Sequence, residues 1–149
     1  MRTVHRDIVG GFIFSNDGYI LLGKTGRGGS YSGYYVVPGG GVDKHETKLE
    51  ALKRELLEEL GIDITEAKVE LIKEIQTGQS EKTLVDTGER VLVDMDFCDF
   101  IINFAQPAAK IKVTPGDDLA EAEWIPLDKL SDISMTDPMK HTLRNLGYL

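Results

Sequence analysis

Residues Gly40 to Ile62 read GGVDKHETKLEALKRELLEELGI, and this stretch decides the fold. Thr47-Lys48-Leu49-Glu50 is a capping box, in which the threonine hydroxyl and the glutamate carboxylate each satisfy a backbone donor orphaned at a helix start. Leu49, Leu52, Leu56 and Leu60 then recur at helical spacing, and Gly61 closes the run as a C-terminal cap. With successive residues about 100° apart, Glu55, Glu58 and Glu59 share one face and Leu52, Leu56 and Leu60 an adjoining one. The spacing predicts a helix that docks its leucines on a sheet and presents a carboxylate cluster beside the seam. Like charges so placed repel by about 0.2–0.5 kcal/mol per pair. A hard divalent cation relieves that repulsion, and Mg²⁺ typically bridges carboxylates to substrate phosphates. Taken alone, an acidic helix is more often a solvated face, with Arg54 and Glu58 an ordinary i,i+4 pair.

Outward from this helix the chain alternates strand and turn signals. Val4 to Ser15 reads as a strand, Asn16-Asp17-Gly18 as a turn, and Tyr19 to Lys24 as the returning strand of a hairpin. Thr25 to Gly33 reads as a Gly/Ser-rich loop, and Tyr34 to Val37 as a short strand running into Pro38-Gly39-Gly40-Gly41. Downstream, strands are expected at Lys68 to Gln76 and at Val91 to Phe104, separated by a polar stretch from Thr77 to Arg90. The apolar run from Val91 is either core or a dimer edge. Pro115-Gly116 marks a turn, Glu121 to Ile125 a strand, Pro126 to Leu130 a helical turn, and Asp137 to Leu146 a last helix with Pro138 at its first position. No repeat or linker interrupts the pattern, so one mixed α/β domain over residues 1–149 is expected.

Composition narrows the function. The hydrophobic fraction is 41%, the charged fraction 28% and the formal net charge −8. That balance disfavours a polymer-wrapping nucleic-acid binder, which needs a basic stripe to displace counterions. An acidic chain still binds phosphates where a divalent cation inverts the local field. The single cysteine, Cys98, excludes an internal disulfide and a cysteine-rich zinc site. No stretch approaches the roughly 18 uninterrupted apolar residues of a membrane span, so a cytoplasmic location is the expectation.

Gly40, five residues, Glu46, seven residues, and then Arg54-Glu55-Leu56-Leu57-Glu58-Glu59-Leu60-Gly61-Ile62 match the Nudix box at every fixed position. At typical residue usage a chance match is on the order of one in a million, which displaces the solvated-face reading. Gly33 to Gly40 also resembles the family's lead-in to the box. The chain therefore resembles a Nudix hydrolase, and the resemblance implies an α/β Nudix fold, a mixed β-sheet sandwiched between α-helices.

The resemblance further implies a Mg²⁺ or Mn²⁺ cofactor held by the Gly39 carbonyl and the carboxylates of Glu55, Glu58 and Glu59. Arg54 and Glu46 would pair to hold the box loop against the helix, orienting those ligands, with Gly40 and Gly61 as structural box positions. Tyr35 stands where the family often has Trp, and His45 where Gly is common; a left-handed backbone there would carry a modest cost. The implied reaction is hydrolysis of a nucleoside diphosphate linked to another group, with a carboxylate accepting the proton of the attacking water. Glu55 is the favoured base; Asp118 and Glu121, from the loop after Pro115, are the external candidates.

Gly18-Tyr19-Ile20-Leu21-Leu22-Gly23-Lys24-Thr25 formally matches a P-loop, but the intervening residues are strand-like and no helix follows, so the match is coincidental. Lys24 and Arg27 remain candidate phosphate contacts, with solvated surface cations as the plain alternative. Tyr35, with Phe12, Phe14 and Tyr34, is a candidate base platform, although strand aromatics are more often core. Gln76 to Ser80 carries neither the proline typical of ADP-ribose hydrolases nor the tyrosine of dinucleoside polyphosphate hydrolases. A nucleoside triphosphate or a nucleotide sugar is the expected substrate. The expected partner is thus a small nucleotide, with no nucleic-acid polymer or membrane, and the chain a monomer or homodimer. The competing function is a Nudix-fold module that binds a nucleotide without cleaving it, which loss of a box glutamate would favour; none is lost.

Overall fold

The computed structural model describes residues 1–24, 33–116 and 121–149. Its centre is a pair of long parallel strands, β1 (Arg2–Phe14) and β7 (Arg90–Asn103), in register from Arg2 opposite Val91 to Phe14 opposite Asn103. Around them run β2 (Tyr19–Lys24), β3 (Tyr35–Val36), β4 (Gly39–Gly41), β5 (Lys68–Leu71), β6 (Gln76–Thr83) and β8 (Glu121–Pro126). The path is β3-β2-β1-β7-β5, with β4 paired to β1, β6 to β7 and β8 to β2. All of these further pairings are antiparallel, so the sheet is mixed. Because β7 has β1 on one side and β5 and β6 on the other, its apolar run is core and no dimer edge.

Alternation along β1 sends side chains to two separate cores. Val9 and Ile13 meet Leu52, Leu56 and Leu60 of α1 (Lys48–Leu60), together with Cys98 and Ile102 from β7. Phe12 and Phe14 face the opposite side, where Leu130, Met139 and Leu143 close the second core under α2 (Asp137–Asn145). The expected sandwich of a mixed sheet between helices is the fold observed. Helix α1 begins and ends where its sequence says. Glu50 N–H donates to Thr47 Oγ1 at 3.1 Å, Thr47 N–H donates to Glu50 Oε1 at 2.9 Å, and Gly61 takes φ 64°.

Two expectations fail downstream. The polar stretch after Thr77 is strand: β6 pairs with β7 from Gln76 opposite Phe97 to Thr83 opposite Arg90. Backbone ladder bonds need no apolar pattern, and one exposed face hides a strand from a periodicity reading. The strand expected at Lys68 to Gln76 stops at Leu71, because β5 pairs with the Phe100–Asn103 end of β7 and β6 takes over from Phe97. Smaller adjustments are a 3-10 helix over Leu127–Asp132 and Thr136 as the cap of α2, which puts Pro138 at its second position. The P-loop look-alike is strand β2 through Lys24, and Thr25 lies outside the described residues.

His45 has φ 72°, and it is the one non-glycine residue with positive φ among the described residues. The left-handed conformation costs an L-residue about 1–2 kcal/mol. Glycine removes that cost but enlarges the unfolded ensemble by about 0.4–1 kcal/mol. His45→Gly is therefore expected to raise stability by about 0.5–1 kcal/mol, read as a higher urea midpoint. A lowered midpoint would mean that the imidazole makes a stabilising contact stronger than the strain.

Candidate active site

The capping box and the leucine seam set the rotation of α1, and that rotation aims Arg54 back at the loop preceding the helix. Arg54 Nε donates to Glu46 Oε2 at 3.1 Å and Nη2 donates to Glu46 Oε1 at 2.6 Å, a two-pronged pair. Nη2 also donates to the Gly41 carbonyl at 3.0 Å, tying strand β4 to the helix. Nη1 donates to Glu55 Oε1 at 3.0 Å and to Glu58 Oε2 at 3.3 Å. Hydrogen bonds from Arg54, with one from Asp43 N–H, hold the Glu46 carboxyl below the usual carboxylate range. Hydrogen bonding by Glu46 in turn raises the Arg54 guanidinium further above neutrality. One guanidinium thus joins the box loop, the adjacent strand and two of the three helix carboxylates.

Strand β4 is all glycine for steric reasons. A Cβ on Gly40 would lie 2.5 and 2.6 Å from the two carboxylate oxygens of Glu55, so Glu55 sits directly on bare backbone. A Cβ on Gly39 would run into the Val9 carbonyl oxygen. Glu58 is exposed at the rim, whereas Glu55 keeps 16% of its side-chain surface accessible. The C-terminal carbonyls of α1 are taken up by a segment far downstream, after β7, with Gly116 N–H on Glu59 O at 2.6 Å and Thr114 N–H on Leu60 O at 2.7 Å. Hard oxygen donors gathered beside bare backbone are a donor set suited to a divalent cation such as Mg²⁺ or Mn²⁺.

Gly39 and Gly40 also line a cleft of about 540 Å³ on the face of the sheet away from α1. Its floor and walls include Phe97 and Asp99 of β7, Gly78 of β6 and Met139 of α2. Asp99 is half-buried, and burial pushes its carboxyl up to about 6. Sequence reading missed both the cleft and this residue. The available signal was a lone carboxylate inside the apolar run Phe97-Cys98-Asp99-Phe100-Ile101-Ile102.

The other expected substrate contacts gather elsewhere. Lys24 Nζ stands 4.5 Å from the Tyr35 ring centroid, Tyr35 Oη donates to Glu123 Oε2 at 2.7 Å, and Glu121 is opposite Lys24 in register. None of Lys24, Tyr35 and Glu121 lines the cleft. Arg27 and Asp118 lie outside the described residues. A further group arises from the β1–β7 register, with His5 Nε2 at 3.2 Å from Asp7 Oδ1 and 3.7 Å from Asp96 Oδ2. Its carboxylates, Asp7 foremost, raise the exposed His5 imidazole above its usual range.

The NUDIX domain family model matches residues 4–146. The chain belongs to the Nudix family. Nucleoside triphosphatase NudI of Enterobacter sp. (strain 638) is 27% identical over 147 residues, covering 97% of this chain and 98% of that protein. Among solved structures, the MutT NUDIX hydrolase of Burkholderia pseudomallei is 27% identical with a TM-score of 0.56, over 95% of this chain and 97% of that one. The NUDIX domain of Shewanella oneidensis NrtR, complexed with ADP ribose, superposes with a TM-score of 0.69 at 13% identity, over 96% of this chain and 86% of that one. The arginine-centred cluster described above is therefore the Nudix box of this protein, seen in three dimensions.

Asp99 should leave a signature in the pH dependence of stability. Its folded pKa of about 6 exceeds the unfolded value of about 3.9. The neutral carboxyl favours the folded state fully below pH ~4, and that contribution is lost as pH rises through 6. Asp99→Asn cannot ionise, so its stability relative to the parent is expected to improve by about 1–3 kcal/mol between pH 4 and pH 8. Paired urea unfolding curves at the two pH values measure this. A difference independent of pH would place the carboxylate in a better solvated setting.

Proposed function

We propose that this Nudix-type pyrophosphohydrolase cleaves the diphosphate linkage of a small nucleotide, a nucleoside triphosphate or a nucleotide sugar, with Mg²⁺ as its cofactor and Mn²⁺ as a substitute. The observation that carries the reading is the seating of the Glu55 carboxylate on Gly40, with Arg54 joining it to Glu46 and Glu58. The Gly39 carbonyl and the carboxylates of Glu55, Glu58 and Glu59 are the groups that would hold the cation. When bound, the cation supplies charge neutralisation for the phosphate oxygens and eases loss of a proton from the attacking water.

The rest of the chemistry belongs to the chain. Arg54 fixes Glu55 through Oε1, and among the described residues no hydrogen bond reaches Oε2. That second oxygen is thus available to a cation or to the proton of the attacking water, which makes Glu55 the proposed base. Glu121 stands on β8 opposite Lys24, away from the cleft, which weighs against it as the external acid. The cleft, largely apolar and opening beside Gly39 and Gly40, takes the nucleoside. The name of the Enterobacter relative supports nucleoside triphosphates as the first substrates to assay. A net charge of −8 supports small nucleotides over polymers, and no helix among the described residues is long and apolar enough to cross a membrane.

The test is a product assay with Mg²⁺ across nucleoside triphosphates, nucleotide sugars and dinucleotides. Glu58→Gln is expected to lower turnover by at least ~100-fold with the fold intact, as when an electrostatic catalytic element is lost. A near-parental rate would remove Glu58 from the metal site. Binding across the whole panel without release of phosphate or pyrophosphate would instead identify a nucleotide sensor.

A further inference from the structure

We propose that Asp99 reads the nucleobase, its carboxylate accepting paired hydrogen bonds from the N1–H and exocyclic N2–H of guanine, so that the substrate is a guanine nucleotide. The inference rests on the preceding reading that the cleft holds a nucleotide, and adds which one.

Register places the residue at the right depth. Gly10 of β1 is opposite Gly39 of β4 on one side and opposite Asp99 of β7 on the other. With adjacent strands about 4.8 Å apart, Asp99 lies roughly 10 Å from Gly39 across the cleft floor. A nucleoside spans such a gap when its phosphates sit at the box and its base edge points away. Gly10 also makes the space: a Cβ there would lie 2.7 Å from Asp99 Oδ1. Phe97 is two residues earlier on the same face of β7 and also lines the cleft, so a base lying against its ring presents an edge toward Asp99.

The carboxylate is committed to nothing else. Among the described residues it has no hydrogen bond or ion pair, and burial alone shifts its ionisation. Its oxygens are not sealed into the core either, because among the described residues no fully inaccessible side-chain oxygen or nitrogen lacks a partner. The residue lines the cleft, which is where that accessibility lies. Above pH 6 the group is ionised and accepts without donating. Guanine alone among the common bases offers two adjacent donors on its pairing edge. Adenine and cytosine set an acceptor beside their donor, and uracil flanks one donor with acceptors, so each would turn a lone pair toward the carboxylate. A site built around such a partner rejects analogues that leave it unpaired.

The test is equilibrium binding of GMP, IMP and AMP to the full chain with Mg²⁺ at pH 7.5, by calorimetry, for the parent, Asp99→Asn and Asp99→Ala. Urea unfolding of each variant verifies the fold. IMP lacks only the exocyclic amine. The parent is expected to bind GMP at least ~10-fold tighter than IMP or AMP, the value of one charge-assisted hydrogen bond, and both variants should lose that preference. No base preference in the parent, or one retained by the variants, overturns the proposal. So does an equal loss for all three ligands, which would place Asp99 at the ribose or phosphate. Turnover of guanine and adenine nucleotides is followed in parallel. Hydrolysis without base preference sinks this inference alone, whereas neither binding nor hydrolysis of any nucleotide sinks the proposed function as well.

Discussion

The guanidinium of Arg54 holds together parts of the molecule that have no other reason to meet. Its nitrogens reach Glu46 in the box loop, the Gly41 carbonyl in β4, and Glu55 and Glu58 on its own helix. Side by side on one helix, the carboxylates would repel each other. A planar, permanently charged fork offsets part of that repulsion while leaving oxygens facing outward, which a lysine, as a point charge on a flexible stem, could not do with the same geometry. The site depends on this hub, and the hub depends on the leucine seam that fixes the rotation of α1 against the sheet.

The two faces of the sheet divide the work. Toward α1 the packing is continuous and apolar, from Val9 and Ile13 to Leu52, Leu56 and Leu60. Toward α2 the second core gives way to a cleft of about 540 Å³. The boundary between the faces is β4, where successive glycines let the Glu55 carboxylate press on one side and the cleft open on the other. Burial raises the carboxyl of Asp99 on the cleft floor, and among the described residues no side chain pairs with it. Its place on the cleft floor beside Gly10, with no side-chain partner among the described residues, is the physical argument that it serves a ligand.

Much was legible from residues 40–62 alone. Helix α1, its caps and its leucine face follow from local backbone chemistry and a period that any reader of the chain can count. The same stretch put Glu55, Glu58 and Glu59 on one face, because a helix fixes angular relations among its own residues, whereas the pairing of Arg54 with Glu46 in the preceding loop was implied only by the resemblance to the Nudix box. The downstream sheet was less readable. Strand β6 is polar and largely exposed, so its identity lies in hydrogen bonds to β7 and not in its side chains.

Tertiary structure decided whatever depends on residues distant in the chain. The 13-residue parallel register of β1 on β7 brings Gly10 beside Asp99, and His5 among Asp7, Asp94 and Asp96. No local pattern encodes that register, since strands whose partners lie 89 residues apart must be aligned by the cores on both faces at once. So the chain's own order of residues determined a leucine-seamed helix with three glutamates on one face. The cleft, its depth and the acid on its floor came only with the packing of distant strands, because a cavity has no sequence of its own.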